Sequence, residues 1–441
     1  VQMNNKKALD VVVVGFALFS MFFGAGNLLF PPYLGLVSGT NWIVSLSGFI
    51  LTDIILALVV VMAAVKFDGD LDLTLSRAGK KFARAIIIAS ILCIGPLLAI
   101  PRNGATTYEM GIAPILGFDT PVAKLIVSII FFGLTLLLTI RPSKVVDIIG
   151  KFLTPALLVC LAILIIMGII NPIGDLSSSQ LIENNLFAEG VAQGYQTLDT
   201  LAAVAFSTVA ITAIIQRGYS DSKEKVKLTL QSGLISGVFL ALVYAGLTYL
   251  GSMLSTTYGV DTPQASLMVV ITNAILGKPG KIILGIIVSL ACLTTSIGLT
   301  SSAASYFSNI SNGKVKYQTL VIGICVFSLI LANFGVSTII QFSAPVLEIV
   351  CPVLVALIAT TFLDKYIKND NAFKGVAYVT LLVSILSVGS SLFNITQVSD
   401  LLSKLPLAQY GFNWVLPAIL GGVIGNFIKT KKNVNSNQKA I

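Results

Sequence analysis

The sequence predicts an all-α membrane protein of twelve transmembrane helices. Three observations predict it. Mean hydropathy is +0.94. Apolar residues make up 56% of the 441-residue chain and charged residues only 11%, where a soluble domain carries about 25% charged. Apolar runs of the length that crosses a bilayer, about 20 residues, recur along the whole chain. A soluble fold would have to cover its surface with Leu, Ile and Val, so one or several water-soluble domains are excluded. High apolar content excludes disorder as well. The chain contains no histidine, which removes Ser-His-Asp and Cys-His triads and most zinc and haem sites. Cys93, Cys160, Cys292, Cys325 and Cys351 stand far apart in apolar runs with no CxxC pair, and read as small buried hydrophobes.

The spans are punctuated by Gly, Pro or charged residues. They fall at residues 11–36, 42–65, 85–109, 122–140, 145–170, 195–215, 226–252, 282–310, 317–332, 342–363, 375–393 and 412–428. The first is too long, and too closely followed by others, for a cleaved signal peptide. With the N-terminus inside, 23 of the 28 Lys and Arg fall on the cytoplasmic side. Lys278, Lys281, Lys404 and Lys124 stay outside, and Arg102 falls inside a span. That is the positive-inside asymmetry, so the net charge of +9 reports topology and not nucleic-acid binding. Both termini are expected in the cytoplasm, and the polar tail at residues 431–441 is expected to be disordered. Outside, residues 171–194 carry Asp175, Glu183 and Glu189 without a basic residue. Asp261-Thr262-Pro263 opens an apolar stretch at residues 265–276, read as a short outer helix that either covers a cavity or packs as a surface loop.

Two stretches are unusual for membrane spans. Phe23-Gly24-Ala25-Gly26-Asn27, followed by Pro31-Pro32, places poor helix formers in mid-membrane. A break there would free carbonyls at the end of one half-helix and N–H groups at the start of the next. In lipid such groups must be satisfied by protein, ions, water or substrate. The N–H end suits a carboxylate and the carbonyl end suits a cation. The alternative is a small-residue packing face. A phosphate loop is excluded, since no third Gly and no GK[ST] follows. The second stretch is Ala291-Cys292-Leu293-Thr294-Thr295-Ser296. Its two hydroxyls and the Ala291 carbonyl share one side of a turn and offer neutral oxygens to a monovalent cation. The alternative is back-bonding of Ser and Thr within the helix.

Together these stretches resemble the broken first helix and the eighth-helix sodium half-site of transporters with the leucine-transporter fold, a fold that general accounts of broken helices already use as their example. Within that amino acid–polyamine–organocation superfamily, the chain is similar to the branched-chain amino acid:cation symporter family. The motifs that carry the similarity are Phe22-Phe23-Gly24-Ala25-Gly26-Asn27-Leu28, Gly95-Pro96 with Ala99-Ile100-Pro101-Arg102, and Gly194-Tyr195-Gln196-Thr197-Leu198-Asp199-Thr200-Leu201-Ala202. The resemblance implies two inverted five-helix repeats, residues 1–170 and 171–363, with broken first and sixth helices, and two peripheral helices in residues 364–441. It implies sodium-coupled import of leucine, isoleucine or valine across the bacterial cytoplasmic membrane, with no resident cofactor. Substrate would be held by Phe22, Gly24, Ala25, Gly26 and Asn27 from span one and by Ala205, Phe206 and Ser207 from span six. Sodium would be held by Ser20, Phe23, Ala291, Thr294 and Thr295. No Gly or Pro marks a break within residues 195–215. In some sodium-independent relatives of the fold a lysine on the fifth span takes the ion position. Lys151, shortly before Pro155, would then make the carrier proton-coupled or ion-independent, and another small neutral amino acid is an alternative cargo. Asp53, Arg102, Glu109, Asp199 and Glu348 are the ionisable residues within spans, where such groups are costly and therefore functional candidates. The dispersed carboxylates argue against an enzyme, and no repeated polar ring suggests a channel filter.

Overall fold

The computed structural model describes residues 2–66, 75–141, 149–363, 365–367 and 369–428. The beginning of the expected fifth span (145–148) and the tail (431–441) lie outside the described residues. Helix follows helix throughout, with no strand among the described residues. The helices are α1 (Gln2–Phe22), α2 (Ala25–Ser38), α3 (Trp42–Ile50), α4 (Leu56–Lys66), α5 (Lys80–Leu92), α6 (Ala99–Thr106), α7 (Ala113–Leu116), α8 (Pro121–Thr139) and α9 (Thr154–Ile170). They continue with α10 (Leu186–Gln196), α11 (Asp199–Gln216), α12 (Ser222–Ser252), α13 (Gln264–Ile310), α14 (Tyr317–Ala332), α15 (Val336–Phe362), α16 (Asp370–Leu392), α17 (Thr396–Ser403) and α18 (Val415–Phe427).

Starts are set by side chains that accept the orphan N–H groups of a first turn. Thr120 caps α8, with Pro121 at its first position. Asn185 accepts from the amides of Phe187 and Ala188 to cap α10, and Asp221 caps α12. Helix α13 bends at Gly277 (φ +61°), so its first part is a separate short helix. Leu267, Met268 and Ile271 of that part are wholly buried, which makes it a packed element of the core.

Nine helical stretches among the described residues are long and apolar enough to cross a membrane, and α14 and α18 are shorter apolar helices. Their outer faces carry the side chains that water would reject. Leu234, Val238 and Leu242, spaced one turn apart on α12, are 61%, 57% and 63% exposed. Similar apolar stripes run along α8 and α9. An apolar face of this extent needs lipid, so the protein is a multi-pass membrane protein.

The interior is built by small residues that let backbones touch. A Cβ on Gly190 would stand 1.9 Å from the Ser45 carbonyl, and one on Gly194 would stand 2.0 Å from Thr52 Oγ1. α10 therefore lies directly on α3. Gly35 and Gly251 do the same for α2 and α12, where an added Cβ would fall 1.9 Å from the Thr248 carbonyl and 2.1 Å from the Pro32 carbonyl. These contacts pack α2 on α12 and α10 on α3.

Candidate functional site

The first apolar run is interrupted. α1 ends at Phe22, Phe23 and Gly24 are non-helical, and α2 begins at Ala25. Gly24 is extended (φ −114°, ψ −156°). Pro31 and Pro32 lie inside α2 and do not end it, so the break comes from Phe23 and Gly24 alone. The amides that open α2 are met by asparagines. Gly24 N–H donates to Asn27 Oδ1 at 2.9 Å, and Ala25 N–H donates to Asn103 Oδ1 at 3.1 Å. Asn103 comes from α6, and its Nδ2 donates to Ser296 Oγ on α13 at 3.1 Å. Asn27 Nδ2 donates to Asp199 Oδ2 at 2.8 Å and to the Tyr244 hydroxyl.

A second interruption faces the first. α10 stops at Gln196, and α11 starts at Asp199 after Leu198 takes a left-handed conformation (φ +76°). The orphan carbonyls of Gln196 and Thr197 are capped by Arg102, whose Nη1 and Nη2 donate to them at 2.6 and 2.9 Å. Arg102 is 2% exposed and stacks over the Phe30 ring. A fixed cation at a helix C-terminus complements the helix dipole. The guanidinium therefore serves carbonyls, with the charge of Asp199 also close by.

The carbonyl end of α1 meets α13. Thr294 Oγ1 lies 2.8 Å from the Ser20 carbonyl, 2.9 Å from that of Leu290 and 3.0 Å from that of Ala291. Thr295 Oγ1 lies 3.3 Å from the Ser20 carbonyl. One hydroxyl proton cannot serve three carbonyls, and the buried Ser20 Oγ has no hydrogen-bond partner among the described residues. Thr294, Ser20 and Ala291 are fully buried and Thr295 is nearly so. A cluster of buried neutral oxygens at the carbonyl end of a broken helix fits a hard monovalent cation.

Phe22, Gly24, Ala25, Gly26, Asn27, Arg102, Thr197 and Thr295 are among the residues lining a small cavity between the two breaks, with a volume of ≈ 10 Å³. That is room for about one water, so the centre is closed. The sequence reading placed the α11 side of the site at Ala205, Phe206 and Ser207. The interruption lies about two turns earlier, and α11 lines the cavity with Asp199 and Ala202. Phe206 reaches the site indirectly, with its ring 5.1 Å from the Phe22 ring, and Ser207 Oγ donates back to the Val204 carbonyl at 2.8 Å. Lys151 is exposed in the π turn Ile149–Leu153, whereas Thr294 is wholly buried. Glu109 pairs with Lys124 at 3.0 Å and accepts from the Val336 amide, away from the cavity. Glu348 lies on an exposed face of α15. Asn103 and Tyr244, which connect the two breaks to their neighbours, escaped the sequence reading. Asn103 directly follows the Arg102 motif, and Tyr244 stands in a long apolar span.

A sequence profile described as "Branched-chain amino acid transport protein" matches residues 7–432. The chain belongs to the branched-chain amino acid transport family. It is 35% identical to the branched-chain amino acid permease BraB of Bacillus subtilis, over 97% of this chain and 98% of that one. It is also 35% identical to the branched-chain amino acid transport system 2 carrier protein of Pseudomonas aeruginosa, over 96% of each. The family consists of carriers and not enzymes. Solved structures support its fold. A Na+-coupled sialic acid symporter superposes with a TM-score of 0.60 at 12% identity, covering 94% of this chain and 89% of that one. MhsT in complex with L-phenylalanine superposes with a TM-score of 0.56 at 15% identity, covering 93% and 97%. The leucine-transporter fold expected from the broken first span is therefore the fold of this family member.

Proposed function

We propose that the chain imports leucine, isoleucine and valine by sodium-coupled symport through alternating access. The observation that carries the reading is the interruption at Phe23–Gly24 beside the oxygens of Ser20, Ala291, Thr294 and Thr295. One end of the break offers carbonyls to sodium, and the other turns the start of α2 toward the cavity. The substrate carboxylate would lie over Gly24–Gly26, taking the place of the Asn27 and Asn103 oxygens on the Gly24 and Ala25 amides, with Phe22 giving apolar contact to the side chain. The closed cavity is the occluded stage of the cycle, and the two halves of the break reorient as it opens. Residues 1–170 and 171–363 act as the inverted repeats, residues 364–441 are peripheral, and both termini face the cytoplasm.

Moving one charge through 100 mV yields about 2.3 kcal/mol, and a tenfold sodium gradient adds about 1.4 kcal/mol. Together they sustain roughly 500-fold accumulation. Selectivity among the three substrates should be shallow, since one methylene is worth about 1–3 kcal/mol in an apolar pocket. The exposed position of Lys151 favours sodium over a lysine-filled ion site.

The test is labelled-leucine uptake into proteoliposomes with sodium replaced by choline at constant pH. Uptake should collapse, and undiminished uptake removes sodium from the mechanism. The paired substitution Thr294→Ala, Thr295→Ala should raise the sodium requirement, and an unchanged requirement would move the ion elsewhere.

A further inference from the structure

The geometry points to a proton shared between Asp53 and Asp199, carried on Asp53 and holding the second span to the interrupted sixth. Asp53 lies in the π turn Leu51–Ile55 between α3 and α4. It is 1% exposed, and among the described residues neither of its carboxylate oxygens has a hydrogen-bond donor. The group that meets it is another acid. Asp199, 4% exposed at the start of α11, lies beside it; the residues next to the two acids are joined directly, Thr200 Oγ1 donating to the Thr52 carbonyl at 2.6 Å. The hydroxyls of Thr197 and Tyr244 also lie beside Asp53. The Thr197 proton is committed to the Gly194 carbonyl at 2.7 Å, and the Tyr244 hydroxyl oxygen accepts from Asn27 Nδ2.

Two carboxylates are acceptors only and cannot bond to each other. Deprotonated, they would leave two like charges side by side in a buried site. One proton turns that repulsion into an O–H···O⁻ bond. It also needs no volume, which matters where the adjoining cavity has ≈ 10 Å³.

The surroundings decide which acid carries it. Asn27 is oriented by the Gly24 amide, which donates to its Oδ1, so its Nδ2 must donate to Asp199 Oδ2 at 2.8 Å. Asp199 further sits in the first turn of a helix, where a negative charge is favoured, and within the field of Arg102. Asp53 has none of these. Asp199 is therefore the anion and Asp53 the acid. From α2 the pair is faced by Asn27, from α6 by Arg102, from the α10–α11 turn by Thr197 and from α12 by Tyr244. Counting Arg102 as +1, Asp199 as −1 and Asp53 as neutral, the cluster carries no net charge.

The proton is bound by one carboxylate oxygen of Asp53 as pH falls and lost to water as pH rises. Its loss restores two facing anions and sets the π turn against the start of α11, which Thr200 joins to the Thr52 carbonyl. The site is separate from the Ser20 and Thr294 oxygens, and the inference does not depend on which ion drives uptake.

Infrared spectroscopy of the full chain reconstituted in lipid tests it directly. At neutral pH the wild type should show the carbonyl stretch of a buried carboxylic acid, and that band should fade on alkalisation. Asp53→Asn, whose amide mimics the protonated acid and can donate to Asp199, should abolish the band. In proteoliposomes with equal pH on both sides and fixed sodium, wild-type leucine uptake should fall as pH rises, and Asp53→Asn should flatten that profile. Asp199→Asn supplies a second variant: it should also lose the alkaline fall, because a single acid beside an amide has no facing charge. A wild type without the band overturns the inference, and so does an Asp53→Asn variant that keeps the band or follows the wild-type pH profile. A variant that raises the sodium requirement with no change in band or profile would place a metal cation at the pair and overturn the proton. Failure of sodium dependence in wild type would sink the symport reading and leave the infrared result standing.

Discussion

Substituting alanine at Gly24 isolates the ion side of the centre. The backbone there is extended (φ −114°, ψ −156°), a conformation alanine adopts without strain. The effect is therefore steric. An added Cβ would stand 3.0 Å from Thr295 Oγ1, 3.1 Å from Thr295 Cγ2 and 3.2 Å from Thr295 Cβ. All three contacts fall on one side chain, nearly buried, which must shift by a few tenths of an ångström. Overpacking of this kind costs about 1–3 kcal/mol. Displacing Thr295 moves its hydroxyl relative to the Ser20 carbonyl, so the cost should fall on ion binding. The sodium concentration for half-maximal leucine uptake should rise by about 5- to 150-fold. The double variant Gly24→Ala, Thr295→Ser removes Cγ2 and keeps Oγ1, so it should recover part of that loss. Non-additivity of this sort is what contacting residues give in a double-mutant cycle. The assay is sodium-titrated leucine uptake in proteoliposomes for the wild type, both single variants and the double. A single variant that alters leucine affinity and leaves sodium dependence unchanged, or a double variant with strictly additive losses, would refute the reasoning.

Two further outcomes follow from the sixth-span interruption. Arg102→Lys keeps the charge and gives up the two-pronged cap on Gln196 and Thr197. Losing one charge-assisted bond costs about 1.5–3 kcal/mol, so uptake should drop about ten- to 150-fold while the protein still purifies as a folded monodisperse carrier; uptake near wild type would show that one carbonyl needs no cap. At Leu198, buried and at φ +76°, glycine should be tolerated better than alanine by about 1 kcal/mol although it is smaller, because only glycine is free of the left-handed penalty. Thermal unfolding in detergent should rank Leu198→Gly above Leu198→Ala, and the reverse ranking would deny the left-handed turn.

The first break was legible because it is written in residues that dislike helices. Gly24 and Gly26 mark it, and Asn27 supplies the internal cap. Pro31 and Pro32, which drew the eye equally, proved to be ordinary passengers of α2. The sixth-span break was illegible for the opposite reason. It is made by a leucine forced into a left-handed turn, with its carbonyl neighbours capped by an arginine 94 residues away in sequence. Local propensity contains no trace of such a turn, since tertiary contacts impose it. Asn103 was hidden likewise. An asparagine beside a buried arginine looks like any satisfied polar group until its partners, the Ala25 amide and Ser296, are known. The oxygens around Thr294 were legible because paired threonines in mid-membrane are a compositional signal. Ser20 joined them only through the resemblance to a known fold.

The π turn Leu51–Ile55 has a bearing on how this chain tolerates changes in length. Removing one amino acid from an ordinary helix rotates everything beyond it by about 100°, swapping lipid-facing for interior side chains along the rest of the rod. A π turn already stores one surplus residue. A shortened chain would close that turn to regular pitch and leave Phe49 on one side and Ala57 on the other still pointing inward. The carboxyl of Asp53 would lose its aim. Deletion at this one place should thus spare folding while silencing the proton site, a separation that point substitutions in the core rarely achieve.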